Sequence, residues 1–161
     1  MRRLFKPGGL AVAASAVFLA WSGWTYQNTG PDLAAERDRA LADGRERVAV
    51  LNTLDHTRAE AGRRAWLAAS TGDLRARLEG ESSAARLAGS RTSATGTVLA
   101  AALTAFDGRA GSAELIASVN IQLTPAEGVP TVQRKRFTAD LTRTSGGWRL
   151  SSLVSLPAQG G

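Results

Sequence analysis

The stretch from Ala113 to Thr124 constrains this chain more than any other. Ala113, Leu115, Ala117, Val119, Ile121 and Leu123 alternate unbroken with Glu114, Ile116, Ser118, Asn120, Gln122 and Thr124. A period of two puts the first set on one face of a strand and the second on the other, so the segment reads as a strand covered on one side. Asp107-Gly108, just before it, is a hairpin signal and predicts an antiparallel partner in Thr92–Phe106, rich in Thr, Val, Leu and Ala. Beyond a loop at Pro125–Pro130, Val132–Thr144 predicts a third strand, with Phe137, Ala139 and Leu141 on one face and Arg134, Arg136, Thr138 and Asp140 on the other. Ser145-Gly146-Gly147 turns the chain, and Trp148, Leu150, Ser152, Val154 and Leu156 define a fourth strand.

Before Arg91 the spacing is helical. Asp32 caps a first helix in which Leu33, Ala40, Leu41, Val48 and Leu51 recur on one face, while Glu36, Arg37, Asp38, Arg45, Glu46 and Arg47 fill the other. Thr57 and Glu60 have the spacing of a capping box and open a second helix containing Trp66 and Leu67. Gly72 reads as its stop, Asp73 as the cap of a third helix with Leu74 and Leu78, and Ala85–Gly89 as its continuation or a short fourth. Helices followed by an antiparallel meander predict an α+β domain, about three helices on one face of a curved four-stranded sheet. Residues 32–90 form the helical part of this domain, 91–157 the sheet, and 158–161 a tail.

No charged residue stands between Lys6 and Asp32. A membrane-spanning helix needs ~20 mostly apolar residues, and Leu4–Tyr26 supplies them, with Trp21, Trp24 and Tyr26 gathered where amphipathic rings favour the membrane interface. The sequence thus predicts a basic tip at 1–7 carrying Arg2, Arg3 and Lys6, an anchor at 8–28 and a polar linker at 29–31. Cationic residues before the span place the N-terminus in the cytoplasm and the domain outside it. A cleaved signal peptide is the competing reading. Ala14-Ser15-Ala16 has the form of a cleavage site but falls in mid-span, and Trp21–Tyr26 offers none. Arg2-Arg3 only faintly suggests a twin-arginine signal.

The charge balance follows from this topology. Of 20 Lys+Arg, three lie in the tip, leaving 17 to face 14 Asp+Glu in the rest of a chain whose formal charge is +6. Arg134-Lys135-Arg136, with Arg143 and Arg149 beyond it, is the only other basic cluster. Alternate residues of a strand point to opposite faces, so the three consecutive cations are not expected to form one patch. Single-strand nucleic-acid binders interleave exposed aromatics with basic residues; here Trp66, Phe106, Phe137 and Trp148 sit at core-type positions or beside turns, and no nucleic-acid partner is expected. Arg134, Arg136, Arg143 and Arg149 remain candidates for contact with anionic headgroups or an acidic partner.

Little else carries chemistry. Without Cys there is no disulfide, thiolate metal site or cysteine nucleophile, and a single His excludes sites needing two imidazoles. Asp55-His56 is the one acid–imidazole neighbour pair, at a helix junction where capping explains Asp55 and half-exposure His56. No Ser lies in a nucleophile-elbow pattern. Ser70-Thr71-Gly72-Asp73 is too short for a phosphate loop and lacks its Lys. No catalytic residue, cofactor or metal is expected.

Three segments in order, Val50-Leu51-Asn52-Thr53-Leu54-Asp55, Trp66-Leu67-Ala68-Ala69-Ser70-Thr71-Gly72-Asp73-Leu74 and Gly147-Trp148-Arg149-Leu150, behind an N-terminal span and a charged helix, resemble the Mce-associated (mammalian-cell-entry-associated) membrane proteins of actinobacteria. The resemblance covers essentially the whole chain and rests on order and spacing. It implies the nuclear-transport-factor-like cone fold shared with SnoaL-type cyclases and ketosteroid isomerases, and a non-enzymatic role assisting Mce complexes that move lipids or sterols. The family has no established catalytic residues to carry over. The isomerase branch uses pocket carboxylates, for which Asp140 is the nearest candidate, on what reads as an exposed strand face. The leading expectation is therefore a membrane-anchored accessory or scaffold protein docking on other envelope proteins. A pocket for a small hydrophobe or lipid, and a scaffold of a secretion or conjugation apparatus, are its rivals.

Overall fold

From residue 32 to residue 51 the chain is helical (α1). The computed structural model describes residues 32–80, 85, 89 and 91–157. The basic tip with Arg2, Arg3 and Lys6, the 8–28 anchor with Trp21, Trp24 and Tyr26, the 29–31 linker and the 158–161 tail lie outside the described residues. Among the described residues no helix is long and apolar enough to cross a membrane. Of the segment 85–89, Ala85 and Gly89 are described and helical. The chain divides after Glu36 into two units, and Arg37–Gly161 holds the rest of α1, the later helices and the sheet.

Within that unit α1 buries Ala40 and Val48 completely, with Leu41 and Leu51 packed alongside. Gly44 lies one turn from each of the buried pair. A Cβ there would stand 2.9 Å from Leu115 Cδ1 and 3.0 Å from Leu141 Cδ1, so the missing side chain is what lets α1 sit this close to the sheet. After Leu51 the chain turns through Leu54, which is buried and exchanges two 2.8 Å backbone bonds with Ala94. A short 3-10 turn, His56–Arg58, leads into α2, Ala59–Ala69. The expected capping box does not form. The side chain of Asp55 caps the turn instead, and Thr57 Oγ1 donates to it. A second small cluster, Leu54 and Trp66 with Val50 and Leu78, holds α2 in place, and Trp66 Nε1–H donates to the Thr53 carbonyl at 2.9 Å.

Ser70 ends α2 in an extended conformation, fully buried, with its hydroxyl donating to the Trp66 carbonyl at 2.9 Å. Gly72, expected to stop α2, instead opens α3, Gly72–Gly80, with φ +55. Between the helices Ser70 bridges Leu150 and the Thr71 N–H donates to the Leu150 carbonyl at 2.8 Å.

The sheet is a four-stranded antiparallel meander in the order β1 (Thr92–Asp107), β2 (Ser112–Pro125), β3 (Thr131–Thr144) and β4 (Gly147–Leu156). Ala113, Leu115, Ala117, Val119 and Ile121 are all buried, as their alternation requires, and face Phe137, Ala139 and Leu141 on the same side. The β1–β2 hairpin is closed by Asp107, whose Oδ1 accepts from the Arg109 and Ala110 N–H groups at 2.9 Å. The positive φ falls on Gly111 rather than Gly108, so the turn is longer than a two-residue Asp-Gly loop.

Strict alternation fails at three bulges. In β1 Leu99 and Thr104 fall at register shifts, which brings Ala94, Val98, Ala101, Leu103 and Phe106 onto the core side. In β4 the partners of Asp140 and Leu141 are Ser152 and Leu150, leaving Ser151 as the extra residue. The inward set of β4 is therefore Trp148, Leu150 and Leu153, while Val154, expected inside, is 52% exposed. Each bulge bends its strand and adds twist, which curves the sheet around α1.

Candidate functional site

Asp55 and His56 adjoin in sequence but bond to different partners. Asp55 Oδ1 accepts from the Thr57 N–H at 2.9 Å and from Thr57 Oγ1 at 2.7 Å, and Oδ2 accepts from Arg58 Nε at 2.9 Å. The Thr57 hydroxyl above all, then its N–H and Arg58, stabilise the carboxylate and lower its pKa from 3.8 to about 2. His56 turns to a residue the sequence did not bring forward. Its Nδ1 lies 2.9 Å from Ser93 Oγ, which also accepts from the His56 N–H at 3.1 Å. With that N–H occupying the hydroxyl as acceptor, the Ser93 proton is free to go to Nδ1. The pair thereby staples the α1–α2 junction to the start of β1, while Asp55 is engaged by Thr57 and Arg58 rather than by the imidazole.

Asp140 is exposed on the outer face of β3, directly opposite Glu114 on β2. Val48, Leu115, Val119, Leu141 and Leu150 are each under 2% exposed and fill the space between α1 and the sheet with the protein's own side chains. Among the described residues no group of three or more His, Cys, Asp or Glu is placed to hold a metal ion.

The four candidate arginines separate into two places. Arg134 and Arg136 share the outer face of β3 near its start, both exposed. Arg143 pairs with Trp148 at the other end of the strand, where its N–H donates to the Gly111 carbonyl at 2.8 Å. Arg149 lies opposite Thr142, between the buried Trp148 and Leu150, half-buried itself. From Arg136 to Arg143 is roughly 23 Å along an extended strand.

Arg134, Lys135 and Arg136 do come together, against the expectation from strand alternation. All three line one cavity of about 430 Å³ with Gln133, Ser155, Leu156 and Pro157. Alternation separates side chains above and below a sheet, but at a free edge both sets flank the same groove. A second cavity, about 410 Å³, lies between α1 and α2 over Ala49, Val50, Leu54, Ala61 and Ala65, with the Asp55–Arg58 ion pair on its rim.

No protein-family model matches the chain, and no curated protein matches it. Solved structures do share its architecture. An IcmL-like type IV secretion system protein from Legionella pneumophila has a TM-score of 0.63 at 13% identity, over 78% of this chain and 95% of its own. The periplasmic domain of DotI has 0.60 at 16%, over 73% and 93%. CagV, a VirB8 homologue of the type IV secretion system of Helicobacter pylori, has 0.60 at 10%, over 76% and 99%. At these identities the likeness is one of fold, and the chain has the α+β cone fold of these domains.

Proposed function

We propose that this chain is a non-enzymatic structural component of a protein assembly in the cell envelope, built on the plan of type IV secretion and conjugation scaffolds. An N-terminal anchor holds it in the membrane, and its cone domain stands outside the cytoplasm, where it docks on neighbouring subunits. One observation carries this reading: the matches span 93–99% of the secretion-system domains, so the likeness takes in those domains almost entire. The filled interior and the diversion of Asp55 away from His56 agree with it, and the filled interior argues against a lipid-holding cone.

Mce-type lipid or sterol transport is the second reading, supported by the order of the three sequence segments. Those segments are joints of the fold: Trp66 donates to Thr53, and Thr71 donates to Leu150. A shared cone accounts for them without a shared cargo, which favours the secretion-type assembly. Cross-linking the tagged full chain in its own cells, followed by mild-detergent purification and mass spectrometry, separates the two. Subunits of a secretion or conjugation machine are expected. Recovery of Mce-type permease and substrate-binding components instead would reverse the order of the readings, and recovery of no envelope protein would sink both.

A further inference from the structure

β3 begins before β4 ends. Thr131–Lys135 pair with β2 on one side, but the β4 ladder starts only at Leu156 opposite Arg136, so among the described residues these five have no strand on the other side. The 430 Å³ cavity occupies this notch, where a continued β4 would have run. Five extended residues make an edge of roughly 17 Å, enough to hydrogen-bond a short added strand.

The notch is strongly basic. Arg134, Lys135 and Arg136 line it; Lys135 and Arg136 have no ion-pair partner among the described residues, and Arg134 makes only a long 3.4 Å contact from Nε to Asn120 Oδ1. Neither Ser118–Leu123 on β2 nor Leu153–Leu156 on β4 contains an acid. Charges on an edge strand ordinarily prevent pairing, and here they disfavour a second copy of the same strand, which would bring three more cations into the notch. A flat anionic bilayer would reach the face that carries Arg134 and Arg136 but not the opposite face that carries Lys135. A strand lying in the plane of the edge meets both faces.

We propose that the Thr131–Lys135 edge receives an extended acidic segment of a partner protein, which adds a strand to the sheet where β4 stops. A carboxylate of that segment stands opposite Arg134, within diagonal reach of Arg136, and the next residue on that side is apolar, beside Val132, which is 63% exposed. The inference deepens the assembly reading, on which it rests, by naming the chemistry of one contact.

The test uses the full chain in detergent micelles and a fluorescein-labelled peptide in which Glu alternates with Thr and the last outward residue is Val, read by anisotropy. The peptide is expected to bind, and R134E/R136E to weaken it roughly tenfold or more with an unchanged melting profile. The same variant is expected to bind a peptide with Lys in place of Glu, a rescue that a misfolded protein does not give. A peptide with Pro in place of the outward Val is expected to lose binding, because the residues opposite Val132 and Arg134 are the ones whose N–H groups point at the edge. Equal binding of the Pro peptide, or absence of binding by the Glu peptide, would overturn the proposal. So would arginine-dependent binding to anionic-lipid vesicles in place of the peptide, or self-association of the chain through this edge. Such a result leaves cross-linked envelope subunits unaffected, whereas failure of the assembly reading removes them whatever the peptide does.

Discussion

The backbone N–H of Trp148 donates to Asp43 Oδ2 across 2.9 Å, joining residues 105 positions apart. Asp43 projects from α1 beside Gly44, and the bond fixes the helix over the β3–β4 turn. Trp148 is 3% exposed, so losing the acceptor leaves a poorly hydrated donor. Asp43→Ala is expected to cost about 1–3 kcal/mol in denaturant unfolding, and Asp43→Asn to recover most of it through its amide oxygen. Gly147 adjoins this contact with φ +93, and a Cβ on it would lie 2.9 Å from Asp43 Oδ2. Gly147→Ala therefore joins backbone strain to a steric clash and is expected to destabilise at least as much as Asp43→Ala.

Gly96 marks the closest approach of β1 to the end of α1. A Cβ there would meet Asn52 Cβ at 2.6 Å, the Ala49 carbonyl at 3.1 Å and the Asn52 carbonyl at 3.2 Å. Two of these neighbours are backbone and cannot rotate away. Gly96→Ala is expected to cost about 1–3 kcal/mol, although alanine suits a strand better than glycine. A melting temperature equal to that of the parent would show that α1 does not press on β1 as described.

Asp55 provides a pH prediction. Its folded pKa of about 2 lies below the unfolded 3.8, so its contribution to stability is complete above 3.8 and is lost as pH falls through about 2. NMR titration of its side-chain carboxyl is expected to show a midpoint near the lower value. Thr57→Val removes the largest cause, the hydroxyl bond, and is expected to raise the midpoint towards the ordinary carboxylate range. An unmoved midpoint would assign the shift to the Thr57 N–H and Arg58 instead.

The absence of cysteine makes topology measurable with single introduced thiols. Val129 is 81% exposed in the β2–β3 loop, well away from the buried core. Val129→Cys is expected to react with a membrane-impermeant maleimide in intact cells, or in spheroplasts where an outer membrane blocks the reagent, and Arg3→Cys only after lysis. The reverse pattern would invert the orientation inferred from the basic tip.

The sheet was legible where one physical rule acted alone. From Ala113 to Ile121 burial of one face fixes a period of two, and every inward residue is found inside. The helices were legible from Ala40, Val48, Trp66 and Leu74 for the same reason. Bulges at Leu99, Thr104 and Ser151 were not, because one extra residue can be placed anywhere until the partner strand is known. Contacts such as Asp43 with Trp148, or His56 with Ser93, join side chains to distant partners and leave no local trace. The grouping of Arg134, Lys135 and Arg136 was hidden by a sound rule applied to the wrong place, since facing matters within a sheet and not at its edge.

The bulge at Ser151 makes the last prediction. Unbroken alternation from Trp148 would bury Val154 and expose Leu153, whereas the register places Leu153 against the core and leaves Val154 half in solvent. The two assignments predict opposite rankings for truncations on adjacent residues. Leu153→Ala is expected to cost about 2 kcal/mol, reduced from the fully buried range because the side chain is only partly covered. Val154→Thr is expected to stay within about 0.5 kcal/mol of the parent, since threonine keeps the β-branched shape and its hydroxyl remains hydrated. Unfolding curves of the two variants decide the register: if Val154→Thr is the more damaging, β4 has no bulge at Ser151 and pairs with β3 one residue differently beyond it.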